Sequence, residues 1–484
     1  GPQMTNSAPS QSPSNSSYDD LVYGLEDKPG VAPSLFAALQ HVLASFIGII
    51  TPTLIVGGVL GLGSEVPYLV SMALIVSGVG TFIQARRFGP VGSGLLCVQG
   101  TSFAFLSAIL SAGFIVKSRG GSPEEILATI NGVCFIAAFV EIFLSRFIDK
   151  LKRIVTPVVT GTIITIIGLS LIKVAMTDIA GGFGAPDLGS LENLGLAAIV
   201  LCTIVILNRF QWQVLRLSAI IVGLGVGFAV AWSMGKVDFS SLSNLSMITI
   251  PTPFKYGFNF EFAAFLPIAI IFLITPLETT GDLTANSMIS KQPVNGPLYI
   301  TRIKAGVLAD GINSALAAMF NSLPMTTFSQ NNGVIQLTGV ASRHVALFIA
   351  GILVVLGLFP VVGGILQQMP KPVLGGATLI MFGTVAIAGI KILAESGLNR
   401  RNMLISAIAI AMGLGVAGVP EVLSAMPDTV KSIIGSPVSI GAFTAIILNL
   451  FLPLEESERA AIYHTDSLAA EAVSGDQLKS PKTN

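Results

Sequence analysis

Glu278 is the residue of this sequence best placed to do chemistry. It follows a stretch, 265–275, that carries no charge, and Asp282 lies one helical turn further along on the same face of any helix built there. Asp310 sits in the middle of a second apolar run, Ala305-Gly306-Val307-Leu308-Ala309-Asp310-Gly311, and His41 falls a turn and a half into the first apolar stretch. A charged side chain inside hydrocarbon costs about 2.5–3.5 kcal/mol on insertion scales, so an ionisable group in such surroundings is read as functional by default. For Glu278 two readings stand: it binds a substrate or a proton, or it makes a structural hydrogen bond. Asp310 offers the same choice, with the cap of a neighbouring half-helix as the structural alternative. His41 and Asp282 read as scaffold that supports the binding groups, and Glu141 lies close enough to Arg146 to pair with it.

A carboxyl taken out of water can accept a proton from one side of a membrane and release it on the other, so coupling to protons is the expectation. No cluster of acidic and hydroxyl residues speaks for sodium, although backbone carbonyls bind that ion without leaving a trace in a sequence. Cys97, Cys134 and Cys202 each lie in an apolar stretch, without CxxC or metal-ligand spacing, and read as packing residues. No metal and no cofactor is called for.

The elements that hold these groups must live in a bilayer. With 52% hydrophobic and 11% charged residues over 484, the chain has too little polar material to cover a water-soluble surface. The 26 basic and 26 acidic residues cancel, which leaves no field to recruit nucleic acid. Apolar runs near the roughly 20 residues needed to cross a bilayer recur from 35 to 452. They are placed at 35–61, 66–84, 94–116, 124–146, 153–176, 193–208, 217–234, 262–283, 303–320, 325–342, 344–367, 372–391, 402–419 and 435–452. The expectation is therefore an all-α integral membrane protein of 14 transmembrane segments. Loops after even-numbered spans hold fifteen Lys and Arg, among them Arg86, Arg87, Arg146, Arg302, Lys304 and Arg343, against seven in the others, which puts both termini in the cytoplasm. Residues 1–34, rich in Ser, Asn, Gln and Pro, read as a disordered cytoplasmic tail, with Gly1-Pro2-Gln3 ahead of Met4 as a cleavage scar. Residues 454–484 read as a second cytoplasmic tail.

Two short matches mark an internal repeat. Pro157-Val158 with Gly161 and Gly168 parallels Pro372-Val373 with Gly376 and Gly383, while Ile50-Thr51-Pro52 with Gly57 parallels Ile274-Thr275-Pro276 with Gly281. Offsets of 215 and 224 residues correspond to a unit of about seven spans used twice. An odd unit forces the second copy to enter from the opposite side, the inverted architecture of secondary transporters, with the site at the midplane between broken helices. The candidate breaks are spans 3 and 10, where Gly89-Pro90-Val91-Gly92-Ser93-Gly94 leads to Gln99-Gly100-Thr101-Ser102-Phe103, and Asn321-Ser322-Leu323-Pro324 leads to Ser329-Gln330-Asn331-Asn332-Gly333. Such polar, Gly-rich backbone at membrane depth must line a cavity or be buried in protein, where its free N–H groups can face a ligand.

The run Gln330-Asn331-Asn332-Gly333-Val334-Ile335-Gln336-Leu337-Thr338-Gly339 resembles the signature of the nucleobase-ascorbate transporter family. Glu278-Thr279-Thr280-Gly281-Asp282-Leu283-Thr284-Ala285 resembles its eighth-span motif; Gly306-Val307-Leu308-Ala309-Asp310-Gly311 and Gln99-Gly100-Thr101-Ser102-Phe103 fit as well. The similarity spans 21–454 and looks nearest to bacterial xanthine and urate permeases. It implies two inverted seven-span repeats with short broken or β segments in spans 3 and 10. A core domain (35–148 and 262–367) would slide as an elevator against a gate domain (149–234 and 368–453), in a homodimer in the bacterial inner membrane. By resemblance, Glu278 and Gln330 hold the purine, backbone near Phe103 and Ser329 completes the pocket, and Asp310, Asn331, His41 and Asp282 support it or couple it to protons. A carboxylate accepts from a purine N–H, a Gln amide can both donate and accept, and Phe103 can stack on the ring. Ser102, a further substrate-binding residue by resemblance, stands where some xanthine-selective members carry Asn, so urate stays open beside xanthine. Other readings are a uracil or other nucleobase symporter of the family, an anion exchanger of the same fold, an uncoupled channel, and a membrane-embedded enzyme, for which no nucleophile-base spacing is present.

Overall fold

Apolar runs of 19–30 residues leave the backbone no hydrogen-bond partner but itself once water is gone, and the computed structural model of the chain is accordingly helical. It describes residues 21–456 apart from 152, 155, 213, 214, 216, 217, 428, 429, 432 and 433. The expected tails at 1–20 and 457–484 lie outside the described residues, as do Lys152 and Arg216 of the charge count. In chain order come α1 (Val31–Leu60), α2 (Val66–Arg86), β1 (Gln99–Thr101), α3 (Leu106–Ser118), α4 (Pro123–Leu144), α5 (Pro157–Ala180), α6 (Leu191–Arg209) and α7 (Ala219–Ser233). The second half runs α8 (Phe262–Ile289), α9 (Gly296–Met319), β2 (Met325–Thr327), α10 (Gln330–Thr338), α11 (Ala346–Leu358), α12 (Pro360–Gln367), α13 (Lys371–Ser396), α14 (Arg400–Gly418) and α15 (Pro437–Phe451).

Among the described residues eight helices are long and apolar enough to cross a membrane, or nine if the pair Arg343–Leu358 and Pro360–Gln367, bent by 72°, makes one span. Shorter apolar helices are Phe103–Ser118, Ala219–Ser233 and Pro437–Phe451. Apolar side chains such as Leu191, Val205, Ile206, Ile387, Ile447 and Phe451 are exposed on the outside of the bundle, the mark of a surface solvated by lipid. Cys202 also faces outward on α6, unlike the buried Cys97 and Cys134, so it is not the packing residue expected.

Several expected boundaries shift. α9 starts seven residues ahead of the 303 expected, because Arg302, counted among loop charges, is inside the helix. It is buried there and its Nε donates to Ser93 O at 2.9 Å. The 344–367 span breaks where Pro360 cannot continue the ladder. Residues 21–30, expected as part of a disordered tail, run beside 339–343, with Tyr23 N donating to Gly339 O at 3.1 Å and Ala341 N to Tyr23 O at 3.0 Å.

Two groups of helices pack within themselves. α4 packs on α8, α9 and α3, while α2 packs on α11, α12, α1 and α9. In the other group α5 lies along α13, α6 packs on α7 and α13, and α14 packs on α15 and α5. The helices carrying the Pro157 and Pro372 repeat match, α5 and α13, are the ones that cross closely. A Cβ on Gly168 would stand 2.3 Å from Ala386 N and one on Gly389 2.4 Å from Thr165 N, so only hydrogen fits at this small-residue crossing. The other match places Pro52 inside α1 and Pro276 inside α8.

Candidate functional site

The two Gly-rich and Asn-rich breaks, ahead of α3 and α10, build the candidate site. β1 pairs antiparallel with β2, in the register Gln99↔Thr327, Gly100↔Thr326 and Thr101↔Met325. The pair is extended by Ser102 N donating to Pro324 O at 2.9 Å and Phe328 N to Val98 O at 2.9 Å. From each strand the chain turns into a half-helix. Ser102 caps the first, its Oγ accepting from Ala104 N at 3.2 Å, and α3 then covers about 20 Å, some two-thirds of the hydrocarbon. α10 begins at Gln330, immediately after Ser329. Gly100 permits the crossing: a Cβ there would fall 2.4 Å from Phe328 Cζ. Thr101 Oγ1 ties β1 to α1 by donating to Gly48 O at 3.2 Å.

α8 runs past both breaks. Asp282 on it accepts from Thr327 Oγ1 at 2.7 Å, and its carbonyl accepts from Asn332 Nδ2 at 3.4 Å, which clamps β2 and α10 to α8. One turn earlier Glu278 is half-buried and makes no hydrogen bond or ion pair with any described residue. Gln330 is exposed, with its Nε2 beside Gly48 of α1, 3.4 Å from where a Cβ would sit. Between them these side chains present an acceptor and a combined donor and acceptor that the protein itself does not satisfy. Phe103, half-buried, meets Phe382 of α13 edge-on at 5.2 Å and 89°, which brings the second helix group up to the first.

The supporting residues sit around these. His41 is buried on α1, and Asn331 Nδ2 lies 3.0 Å from its Nδ1 and donates to its carbonyl at 3.1 Å, fixing α10 to α1. When Nδ1 accepts, the ring proton is on Nε2. Asp310 is buried on α9 and accepts from Thr279 Oγ1 at 3.1 Å, so the residue next to Glu278 links the two carboxyls. Asn313 Nδ2 donates to Gln99 Oε1 at 3.0 Å.

Of the expected site residues, Glu278, Gln330, Phe103 and Ser329 gather at the meeting of β1, β2, α8 and α10, with Asp282, Asp310, Asn331 and His41 in bonds behind them. Ser102 does not join the open group: it is buried and its hydroxyl is used as a cap. The pairing of Glu141 with Arg146 does not form. Arg146 turns to Ser145 Oγ and Lys304 O at 3.2 and 3.1 Å, while Glu141 is buried on α4 facing Asp310. Sequence reasoning gave no role to Thr279, Thr327, Gln99 or Phe382; the first three lie in or beside quoted motifs, whereas nothing about a phenylalanine in an apolar helix marks it out. Among the described residues no group of three or more His, Cys, Asp or Glu is placed to hold a metal ion.

A Permease family model matches residues 33–422, the part of the chain that holds every element of this site. The chain belongs to this family, the nucleobase-ascorbate transporters. It is 46% identical over 442 residues to the xanthine permease XanP of Escherichia coli K12, covering 90% of this chain and 96% of the relative. The xanthine permease XanQ of the same organism is 46% identical over 443 residues, covering 91% and 95%. The uric acid permease PucJ of Bacillus subtilis is 36% identical over 437 residues, covering 89% and 94%. The fold is shared with solved structures of distant sequence. The transmembrane domain of the cyanobacterial bicarbonate transporter BicA matches with a TM-score of 0.58 at 13% identity, covering 89% of this chain and 100% of that one. The murine anion transporter Slc26a9 matches at 0.61 and 11%, covering 88% and 69%. The chain is thus a multi-pass membrane protein of a permease family with a transporter fold.

Proposed function

We propose that this protein takes up xanthine, urate or both across the bacterial inner membrane in symport with protons, by an elevator motion of one helix group against the other. The observation that carries the reading is the open pair Glu278 and Gln330 at the crossing of two half-helices: a half-buried carboxylate acceptor and an exposed amide, complementary to the N–H and C=O edge of a xanthine. Relatives named for xanthine and uric acid support the substrate class. Glu278, Gln330 and the backbone at Phe103 and Ser329 hold the purine; Asp282, Asp310, Asn331 and His41 position them.

The chain crosses the membrane fourteen times in two inverted repeats of seven. What supports this count is that the eight long helices, the bent pair, the three short apolar helices, α9 and the β2–α10 break together occupy every expected span. The α1 to α4 and α8 to α12 group is the core domain and the α5 to α7 and α13 to α15 group the gate, a division favoured by the packing of each group within itself and by the Phe103–Phe382 contact between them. Both termini are cytoplasmic and two copies pair in the bilayer. The fold neighbours carry anions, so an anion exchanger is the competing reading; Glu278 at the site speaks against it.

The test is uptake of radiolabelled xanthine into liposomes holding the purified protein, with and without an inward proton gradient, in competition with urate, guanine, hypoxanthine and uracil. Gradient-driven accumulation blocked by xanthine or urate is expected. Uptake of bicarbonate or sulfate without any purine would overturn the proposal.

A further inference from the structure

The purine site engages Asp310 through Thr279 but leaves the carboxyl beside it without a role. Glu141 lies where α4 crosses α9: a Cβ on Gly311 would stand 3.0 Å from Ile142 N and 3.4 Å from Glu141 C. Glu141 is fully buried, neither of its carboxyl oxygens receives a hydrogen bond, and it faces Asp310, whose Oδ1 is equally without a donor. The other groups turned toward the pair are Gln99 from β1 and Thr279 from α8, with Glu278 and Asp282 beyond them on α8; Cys97 lies near Asp310. None of the ion pairs among the described residues reaches either acid.

Two carboxylates in contact, closed off from water and from any cation, cannot both carry charge. One proton between them turns two acceptors into a donor and an acceptor and satisfies two of the three orphaned oxygens, one on each acid. We propose that Glu141 and Asp310 form a proton-binding site that holds one shared proton, and that this is the proton moved with the substrate. The site is joined to the substrate: Asp310 accepts from Thr279, the neighbour of Glu278, so a purine drawing on Glu278 shifts the strand of contacts that ends at the pair. The coupling half of this proposal rests on the proton-symport reading above; the existence of the site does not.

The experiment has two arms on purified protein. Infrared difference spectra across a pH titration should show the carbonyl band of a protonated carboxylic acid in the wild type and lose it in Glu141→Gln. In liposomes Glu141→Gln should still exchange labelled xanthine across the membrane but no longer accumulate it when an inward proton gradient is imposed. Retention of both the band and the accumulation in Glu141→Gln would overturn the proposal. Loss of the band with accumulation intact would overturn the coupling role. If the wild type itself ignores the gradient, symport fails, and the band alone still decides whether the site exists. Should Glu141→Gln fail to fold, Glu141→Asp replaces it: a shifted band supports the site and an unchanged band overturns it.

Discussion

Replacing Gly100 by alanine would place a carbon 2.4 Å from Phe328 Cζ and within 2.9 Å of two more atoms of that ring. The ring cannot simply retreat, because it is buried and already lies 3.0 Å from where a Cβ on Gly48 would be, while its backbone N–H is bonded to Val98 O. The methyl must therefore tilt the ring or part β1 from β2, an overpacking cost of about 1–3 kcal/mol. Because Phe328 precedes Ser329 and Gln330, that strain falls on the half-helix ends where the proposed purine site lies. If all of it is charged to the binding-competent form, xanthine affinity drops roughly 5- to 150-fold. Equilibrium binding of radiolabelled xanthine to purified protein measures this, and the double variant with Phe328→Ala should recover part of the loss, since the two side chains compete for one space. Wild-type affinity and melting temperature in Gly100→Ala would refute the claim that the strand crossing sets the site's geometry.

Glu278→Gln should weaken xanthine binding roughly 10- to 150-fold, the worth of a hydrogen bond to a charged group at about 1.5–3 kcal/mol; equilibrium binding checks it, and unchanged affinity would remove Glu278 from the site. Gly168→Val, with its Cβ only 2.3 Å from the Ala386 backbone, should force α5 from α13 and lower the melting temperature in detergent, whereas an unaltered melt would show that this crossing is loose. The exposed Lys236–Glu192 pair at 2.8 Å should matter little: Lys236→Ala should leave the melting temperature nearly unchanged. The hydrogen bond to Glu192 holds the Lys236 ammonium above its usual range, so whatever it contributes is fully present below about pH 10 and lost only as pH climbs through the raised value. The difference between wild type and variant should thus be flat between pH 5 and pH 9, and a slope in that window would contradict the assignment.

The features legible in the sequence were those with a local chemical signature. Pro52 and Pro276 mark matched helices, and the Gly-rich and Asn-rich runs mark both breaks, because each changes what the backbone can do on the spot. Glu278 and Asp310 stood out because hydrocarbon tolerates few charges. What stayed hidden depends on contacts between distant segments. Arg146 is five residues from Glu141 and looked like its partner, yet at a helix end it turns outward to a carbonyl of α9, leaving Glu141 to an acid on that same helix. Arg302 looked like a loop charge because basic residues avoid membranes, and only the fold supplies Ser93 O and Gln292 Oε1 to receive it. Pro360 did announce the 72° bend, but inside a continuous apolar run it was absorbed into a straight span.

A structure of the protein determined with xanthine bound tests the central claim most directly. The purine is expected between Phe103 and the start of α10, with its N–H groups on the Glu278 carboxylate and its edge against the Gln330 amide. Xanthine bound elsewhere, with Glu278 and Gln330 untouched, would contradict it.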